Sequence, residues 1–196
     1  NNFLNEKKGY FLSFFIPLLI LLFLFTSMKV FFFDKYNLLI SDFYGQYYSL
    51  FSYLRNALVG DGSLWYSFSN GLGGGMISTI AYYLVSPFNL FIVFFPDKYL
   101  LLAMELIIVL KIATCGLTMY SYLHYHYPKK SWVPLVMFSS CYALMAYVAC
   151  YYFHIMWLDG VYLLPLVCLG IDRIIQKKKP LVYGISLFAA ILCNYY

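Results

Sequence analysis

Long apolar stretches separated by short polar ones set the pattern of the chain. Residues 10–33, 99–123, 132–153 and 155–175 are nearly unbroken runs of Leu, Ile, Val, Phe, Ala and Tyr, and 181–196 begins a fifth. At about 1.5 Å of rise per residue, each complete run is long enough as a helix to cross a hydrocarbon layer roughly 30 Å thick. The pattern predicts membrane-spanning helices. The first run lacks the short apolar region and small-residue cleavage site of a secretory signal, so it reads as a true span. The fourth is the least uniform, because Asp159 and Asp172 bracket its apolar centre.

Residues 76–95 are apolar enough to span, but Ser86-Pro87 interrupts them midway. A proline removes a backbone donor and disfavours helix at the residue before it. Charge resolves the ambiguity. If 76–95 does not cross, then Lys7, Lys8, Lys129, Lys130, Arg173, Lys177, Lys178 and Lys179 all fall on one side. Eight of the 13 basic residues then share that side, which the positive-inside rule makes cytoplasmic. A broken, interfacial segment is therefore expected, and 34–98 becomes one long extracytoplasmic loop. Long ordered loops carry function more often than short ones, so any chemistry is expected there.

Composition agrees. The 196 residues are 63% apolar and 11% charged, with a net charge of +5. A soluble domain is typically about 45–50% apolar and about 25% charged. A soluble single domain, a disordered chain and a nucleic-acid-binding protein are all excluded. Five cysteines lie singly in apolar stretches, without metal or redox spacing. The chain has no initiating Met and ends in an apolar run. It is expected to be the N-terminal part of one longer transmembrane domain that covers 1–196 here.

Within the loop, Asp42, Gln46, Ser49, Tyr53 and Asn56 recur at helical spacing as a polar stripe. Phe43, Tyr47, Leu50, Leu54 and Leu58 form an apolar stripe beside it. This predicts an amphipathic helix over 41–59 that lies flat at the membrane interface, with Ser41 or Asp42 as N-cap and Gly60-Asp61-Gly62 as its stop. Asp42 is either that cap or a carboxylate held at headgroup level toward a lipid-linked substrate. The glycines that follow, Gly71-Leu72-Gly73-Gly74-Gly75, lack the Lys-Ser/Thr and strand context of a phosphate loop. Glu105 and Lys111, six residues apart in the second span, fall on different faces, so each is expected to meet another helix. Asp159 is either an interfacial cap beside Trp157 or a second acid facing the same cavity as Asp42. His154 lies on that side too.

Ser41-Asp42-Phe43-Tyr44-Gly45-Gln46-Tyr47 resembles the first-loop motif of the bacterial YfhO family of membrane proteins. The likeness continues in order through Tyr66-Ser67-Phe68, Gly71-Leu72-Gly73-Gly74, Ser86-Pro87-Phe88-Asn89-Leu90, Trp157-Leu158-Asp159 and Asn194-Tyr195-Tyr196. The resemblance implies an all-α polytopic protein with a GT-C-like transmembrane helix bundle and a long first extracytoplasmic loop carrying interfacial helices. It implies a bacterial cell-membrane glycosyltransferase, N-terminus cytoplasmic, that moves a sugar from a polyprenyl-phosphate carrier to a cell-envelope polymer such as lipoteichoic acid. GT-C enzymes place an acid in the first external loop, and Asp42 occupies that position as the expected general base. Arg55, Lys35 and Lys98 are the expected external cations for the phosphate, and Tyr44, Tyr47 and Trp65 the aromatics for sugar or prenyl chain. Gln46, Asp159 and His154 complete the expected substrate contacts. The residues leave open whether a divalent metal assists. The rival readings are a lipid or small-solute transporter or flippase, drawn from Glu105, Lys111 and the broken 76–95 segment, and a non-catalytic envelope-assembly protein.

Overall fold

A computed structural model of the chain describes residues 2–30, 37–60 and 62–193. Lys35, Asp61 and the Asn194-Tyr195-Tyr196 motif lie outside the described residues. The fold is an all-α membrane-protein architecture, with one two-residue β pairing in its loop.

Helix α1 (Asn2–Ser27) is followed by a π-helical turn (Phe43–Tyr47) that runs directly into α2 (Tyr48–Val59). Strands β1 (Tyr66–Ser67) and β2 (Gly74–Gly75) form an antiparallel hairpin. Next come α3 (Ile77–Tyr83), a 3-10 segment (Pro87–Phe94) and a 3-10 turn (Asp97–Tyr99). The remaining helices are α4 (Leu100–His126), α5 (Trp132–Ala143), α6 (Ala146–Tyr151), α7 (Trp157–Ile175) and α8 (Leu181–Cys193). Three stretches among the described residues are long and apolar enough to cross a membrane: Lys7–Ser27, Asp97–His126 and Trp132–Tyr151. Helix α7 carries Asp159, Asp172 and Arg173 and is correspondingly less apolar.

Helix α4 is the axis of the bundle. Helices α1, α5 and α7, the Pro87–Phe94 segment and α2 all pack on it. Ala103, Met104, Ile107, Ile108, Val109, Ile112 and Ala113 are essentially inaccessible. Its sequence is apolar on every side, which is the signature of a helix surrounded by others. In contrast, Phe23 of α1, Phe138 of α5 and Phe188 of α8 are 72%, 67% and 66% exposed. Such outward apolar faces suit lipid rather than water.

Prolines and glycines set the close approaches. Pro165 has no N–H to give the Val161 carbonyl one turn back, and the Tyr142 hydroxyl donates to that carbonyl instead, at 2.8 Å. Pro17 likewise frees the Ser13 carbonyl, and Gly116 of α4 lies so close to it that a Cβ there would collide. Small residues at such crossings let helix backbones meet in membranes.

The 10–33 run ends earlier than its apolar pattern predicts. Lys29 adopts φ 57°, and the Val30 N–H reaches back to the Phe25 carbonyl at 2.9 Å, closing the last turn of α1. The 76–95 segment behaves as the proline predicts: α3 and the Pro87–Phe94 segment meet at 104°. The 132–153 run has a break that apolarity alone conceals, since α5 stops at Ala143 and α6 resumes at Ala146.

The largest departure concerns α2. The expected amphipathic helix does form, and Gly60 at φ 113° ends it. Its apolar face, however, is covered by protein rather than lipid: Phe43 and Phe51 are fully buried, and α2 packs on α4 and the Pro87–Phe94 segment. Periodicity identifies an apolar face but not what covers it. The π turn also shifts the register, so Phe51 rather than Leu50 is buried, with Leu54 one turn on.

Candidate functional site

The site is built around the start of the π turn. The approach to it is fixed from α4: the buried Glu105 carboxylate accepts the Leu38 N–H at 3.2 Å, and Leu38 is itself buried. Ser41 then takes φ 48°, an uncommon conformation for a non-glycine residue. Asp42 begins the helix with αR dihedrals but caps nothing, because its side chain accepts no hydrogen bond from the first turn. The cap reading is thus corrected: Ser41 sits in the left-handed region, and the Asp42 carboxylate is left available.

That carboxylate faces His154. Asp42 Oδ2 is 3.7 Å from His154 Nδ1, with the aspartate side chain 46% exposed and the imidazole only 12%. His154 sits in the connection between α6 and α7. Trp157 stacks on it at 4.2 Å between ring centroids, Phe153 lies at 4.3 Å, and Tyr151 stacks at 6.2 Å. Tyr47, one turn after Asp42, meets the same imidazole edge-on and packs edge-on against Tyr83. Burial, then the neighbouring Asp42 carboxylate and the Tyr83 and Tyr82 phenols, push the Tyr47 hydroxyl well above the usual phenol range. It stays protonated.

Trp157 has a second neighbour. With Tyr142, Met145, Tyr147, Val161 and Leu164 it lines an open, largely apolar cavity of about 640 Å³. One indole therefore joins an apolar hollow to the Asp42–His154 pair.

The other expected site residues are distributed unequally. Tyr44 (70% exposed) and Gln46 lie at the surface of the π turn, close in sequence to Asp42. Arg55 is engaged elsewhere: its Nη1 contacts Asp97 Oδ1 at 2.6 Å, and its Nε donates to the Phe95 carbonyl at 2.6 Å. It clamps α2 to the turn that precedes α4. Lys98 is exposed, near the ring of Tyr99. Trp65 projects from the hairpin, 71% exposed.

Asp159 is not at the cavity surface. It is 1% exposed and fully engaged: Oδ2 pairs with Lys111 Nζ at 2.6 Å, and Oδ1 accepts from Ser86 Oγ at 2.7 Å. Lys111 also donates to the Ile155 carbonyl at 3.0 Å, one residue past His154. The bend at Ser86-Pro87, the middle of α4 and the start of α7 are thereby tied at one point. Sequence reasoning separates Glu105 from Lys111 correctly, but it does not find Ser86 as the third partner. No group of three or more metal-ligating side chains occurs among the described residues.

The family model for the bacterial membrane protein YfhO matches residues 13–196, nearly the whole chain. The chain belongs to the YfhO family. No curated protein and no solved structure matches it. The family match spans every element of the site, from the π turn through the bend at Ser86-Pro87 to α7, in a multi-pass membrane protein.

Proposed function

We propose that this YfhO-family protein is a membrane glycosyltransferase. It moves a sugar from a polyprenyl-phosphate carrier to a cell-envelope polymer, such as lipoteichoic acid, at the outer face of the bacterial cell membrane. The observation that carries this reading is the Asp42 carboxylate, uncapped and part-exposed, set against His154 beside an apolar hollow. An acceptor hydroxyl must lose its proton as its oxygen bonds to the anomeric carbon. A carboxylate within hydrogen-bond reach takes that proton while polyprenyl phosphate leaves with the bonding electron pair. Asp42 is the general base in this scheme. His154 faces it, with the Tyr47 ring packed edge-on against the imidazole, Tyr44 and Gln46 contact sugar, and the hollow beside Trp157 takes isoprenoid chain.

Charge supports the orientation in this scheme. With the bent 76–95 segment on the outer side, the basic clusters at Lys7, Lys129 and Lys177–Lys179 all fall in the cytoplasm, and so does the N-terminus. That puts Asp42, His154 and the hairpin outside, at headgroup level.

The 104° bend between α3 and the Pro87–Phe94 segment favours a second reading, a lipid or solute transporter, because discontinuous helices build transport sites. One experiment separates the two. Full-length protein in proteoliposomes is given radiolabelled polyprenyl-phosphate hexose and lipoteichoic acid, and label in the polymer is counted. Transfer that depends on Asp42 supports the enzyme. Movement of the lipid across the bilayer without transfer supports the transporter.

A further inference from the structure

A second cavity lies between α2 and the β1–β2 hairpin, away from the Asp42–His154 pair. It measures about 170 Å³ and is bordered by the polar Ser49, Tyr53, Ser67, Ser69, Asn70 and Thr79 and by the apolar Leu50 and Met76. Among the described residues, every polar side chain that lines it is neutral. Its hydroxyls are partly committed in ways that fix what they offer. Ser49 donates to the Gln46 carbonyl at 2.9 Å and Tyr53 to the Ser63 carbonyl, which leaves both oxygens as acceptors. Ser67 Oγ accepts the Ser69 N–H at 3.1 Å and keeps its own proton to give. The Asn70 amide supplies both kinds of group.

The hairpin is shaped for this. Gly71 and Gly73 take φ 65° and 111°, and a Cβ on Gly74 would come within 3.2 Å of Asn70 Nδ2. Glycine at that point lets the Asn70 amide lie across the strand. A lining that sets neutral donors and acceptors beside the apolar Leu50 and Met76 suits an uncharged sugar ring, which carries both hydroxyls and apolar C–H faces. It offers a phosphate or carboxylate no cation and an ammonium no anion. The volume is below the roughly 300–1,000 Å³ of a drug-sized pocket, and matches a single ring. Ser49 and Tyr53 continue the polar stripe that starts at Asp42, with Ser49 roughly 10 Å further along the helix.

We propose that this cleft is a subsite for one uncharged pyranose ring of a glycan. That this glycan is a transfer substrate rests on the transferase reading above, whereas the ring-binding chemistry rests on the cleft alone.

Saturation-transfer NMR on the full-length protein in lipid nanodiscs, free of sugar detergents, tests it. The probes are methyl α-glucopyranoside, methyl α-galactopyranoside and methyl N-acetylglucosaminide, with glycerol 1-phosphate and inorganic phosphate as anionic comparators. At least one neutral glycoside is expected to bind at roughly millimolar concentration. Thr79→Val and Asn70→Ala are each expected to weaken that binding about fivefold or more, the loss of one hydrogen bond. Thr79→Val conserves shape and decides the matter where Asn70→Ala lowers the yield of folded protein. No signal from any neutral glycoside, equal signal from the anions, or binding indifferent to Thr79→Val overturns the subsite. Glycoside binding that is sensitive to Thr79→Val, in a protein that transfers no sugar, keeps the subsite and removes the transferase.

Discussion

Lys111 Nζ and Asp159 Oδ2 stand 2.6 Å apart at a point where neither side chain reaches the surface. Ser86 Oγ and the Ile155 carbonyl complete the set, so both charges are paired and hydrogen-bonded. Such a pair is costly to break from one side, because the partner is left as a buried lone charge. Its removal as a whole is far cheaper. Lys111→Met is therefore expected to destabilise the full-length protein by about 3–5 kcal/mol. Lys111→Met combined with Asp159→Asn, which keeps an acceptor for Ser86, is expected to recover most of that loss. Thermal unfolding in a mild detergent measures both. Equal instability of the single and double variants would show that the pair does not act as a unit.

Gly116 and Gly184 give a paired test of packing. A Cβ on Gly116 collides with the Ser13 carbonyl, whereas one on Gly184 meets nothing within 4 Å. Gly116→Ala is expected to cost about 1–3 kcal/mol, as overpacking does. Gly184→Ala is expected to be neutral or slightly stabilising, since alanine is the better helix former. The order of the two melting temperatures checks the α1–α4 crossing directly.

Asp42→Asn is expected to leave thermal stability near wild type, because the carboxylate caps nothing in the first turn. An amide takes no proton at neutral pH, so sugar transfer should fall by roughly two orders of magnitude or more. Asp172→Asn is the comparison. That residue pairs with His126 at 3.0 Å, at the opposite ends of α4 and α7, and its loss should hardly change transfer. Full transfer by well-folded Asp42→Asn protein removes Asp42 from the chemistry.

His154 is separable into ring and proton. His154→Phe keeps an aromatic face for Trp157 at the 4.2 Å stacking position but has no nitrogen for Asp42. It is expected to retain stability and to lower transfer severalfold, because the carboxylate loses the ring nitrogen that stands 3.7 Å from it. Wild-type transfer by His154→Phe would leave the ring a packing role only.

Sidedness is tested by labelling. In a cysteine-free background, a membrane-impermeant maleimide should modify single cysteines at both Gly62 and Lys98. Lys98 serves better than Asp97, whose carboxylate holds Arg55. Labelling at only one of the two sites would mean that the 76–95 segment crosses, and it would dissolve the shared outer face.

The sequence reading reached the helices, the bend at Pro87 and the separation of Glu105 from Lys111, because each depends on local composition or on fixed helical spacing. What it missed depends on elements distant in the chain. Leu38 and Glu105 are 67 residues apart, and Ser86 and Asp159 are 73 apart. Nothing local to Asp159 distinguishes a cavity acid from the partner of a lysine on α4. Arg55 suits a phosphate on chemistry alone, yet Asp97, 42 residues on, meets it first. The register of the site also depends on a π turn, for which the sequence 43–47 carries no clear mark.

That turn makes the aim of Asp42 a matter of residue count. A π-helical stretch holds about one residue more than an α-helix needs between the same two points. Phe51 and Leu54 anchor the α-helical part in the core, so the surplus is taken up at the Asp42 end. Deleting Gly45, whose position faces open space, would let the segment relax to α pitch with its two ends in place. Asp42 would then keep its bearing on His154 while α2 stayed seated. A deletion within Tyr48–Val59, where no surplus is held, would instead turn everything before it by about 100°, the angle one residue occupies on a helix. The acid's bearing thus tolerates the loss of one codon from the turn and not from the helix that follows.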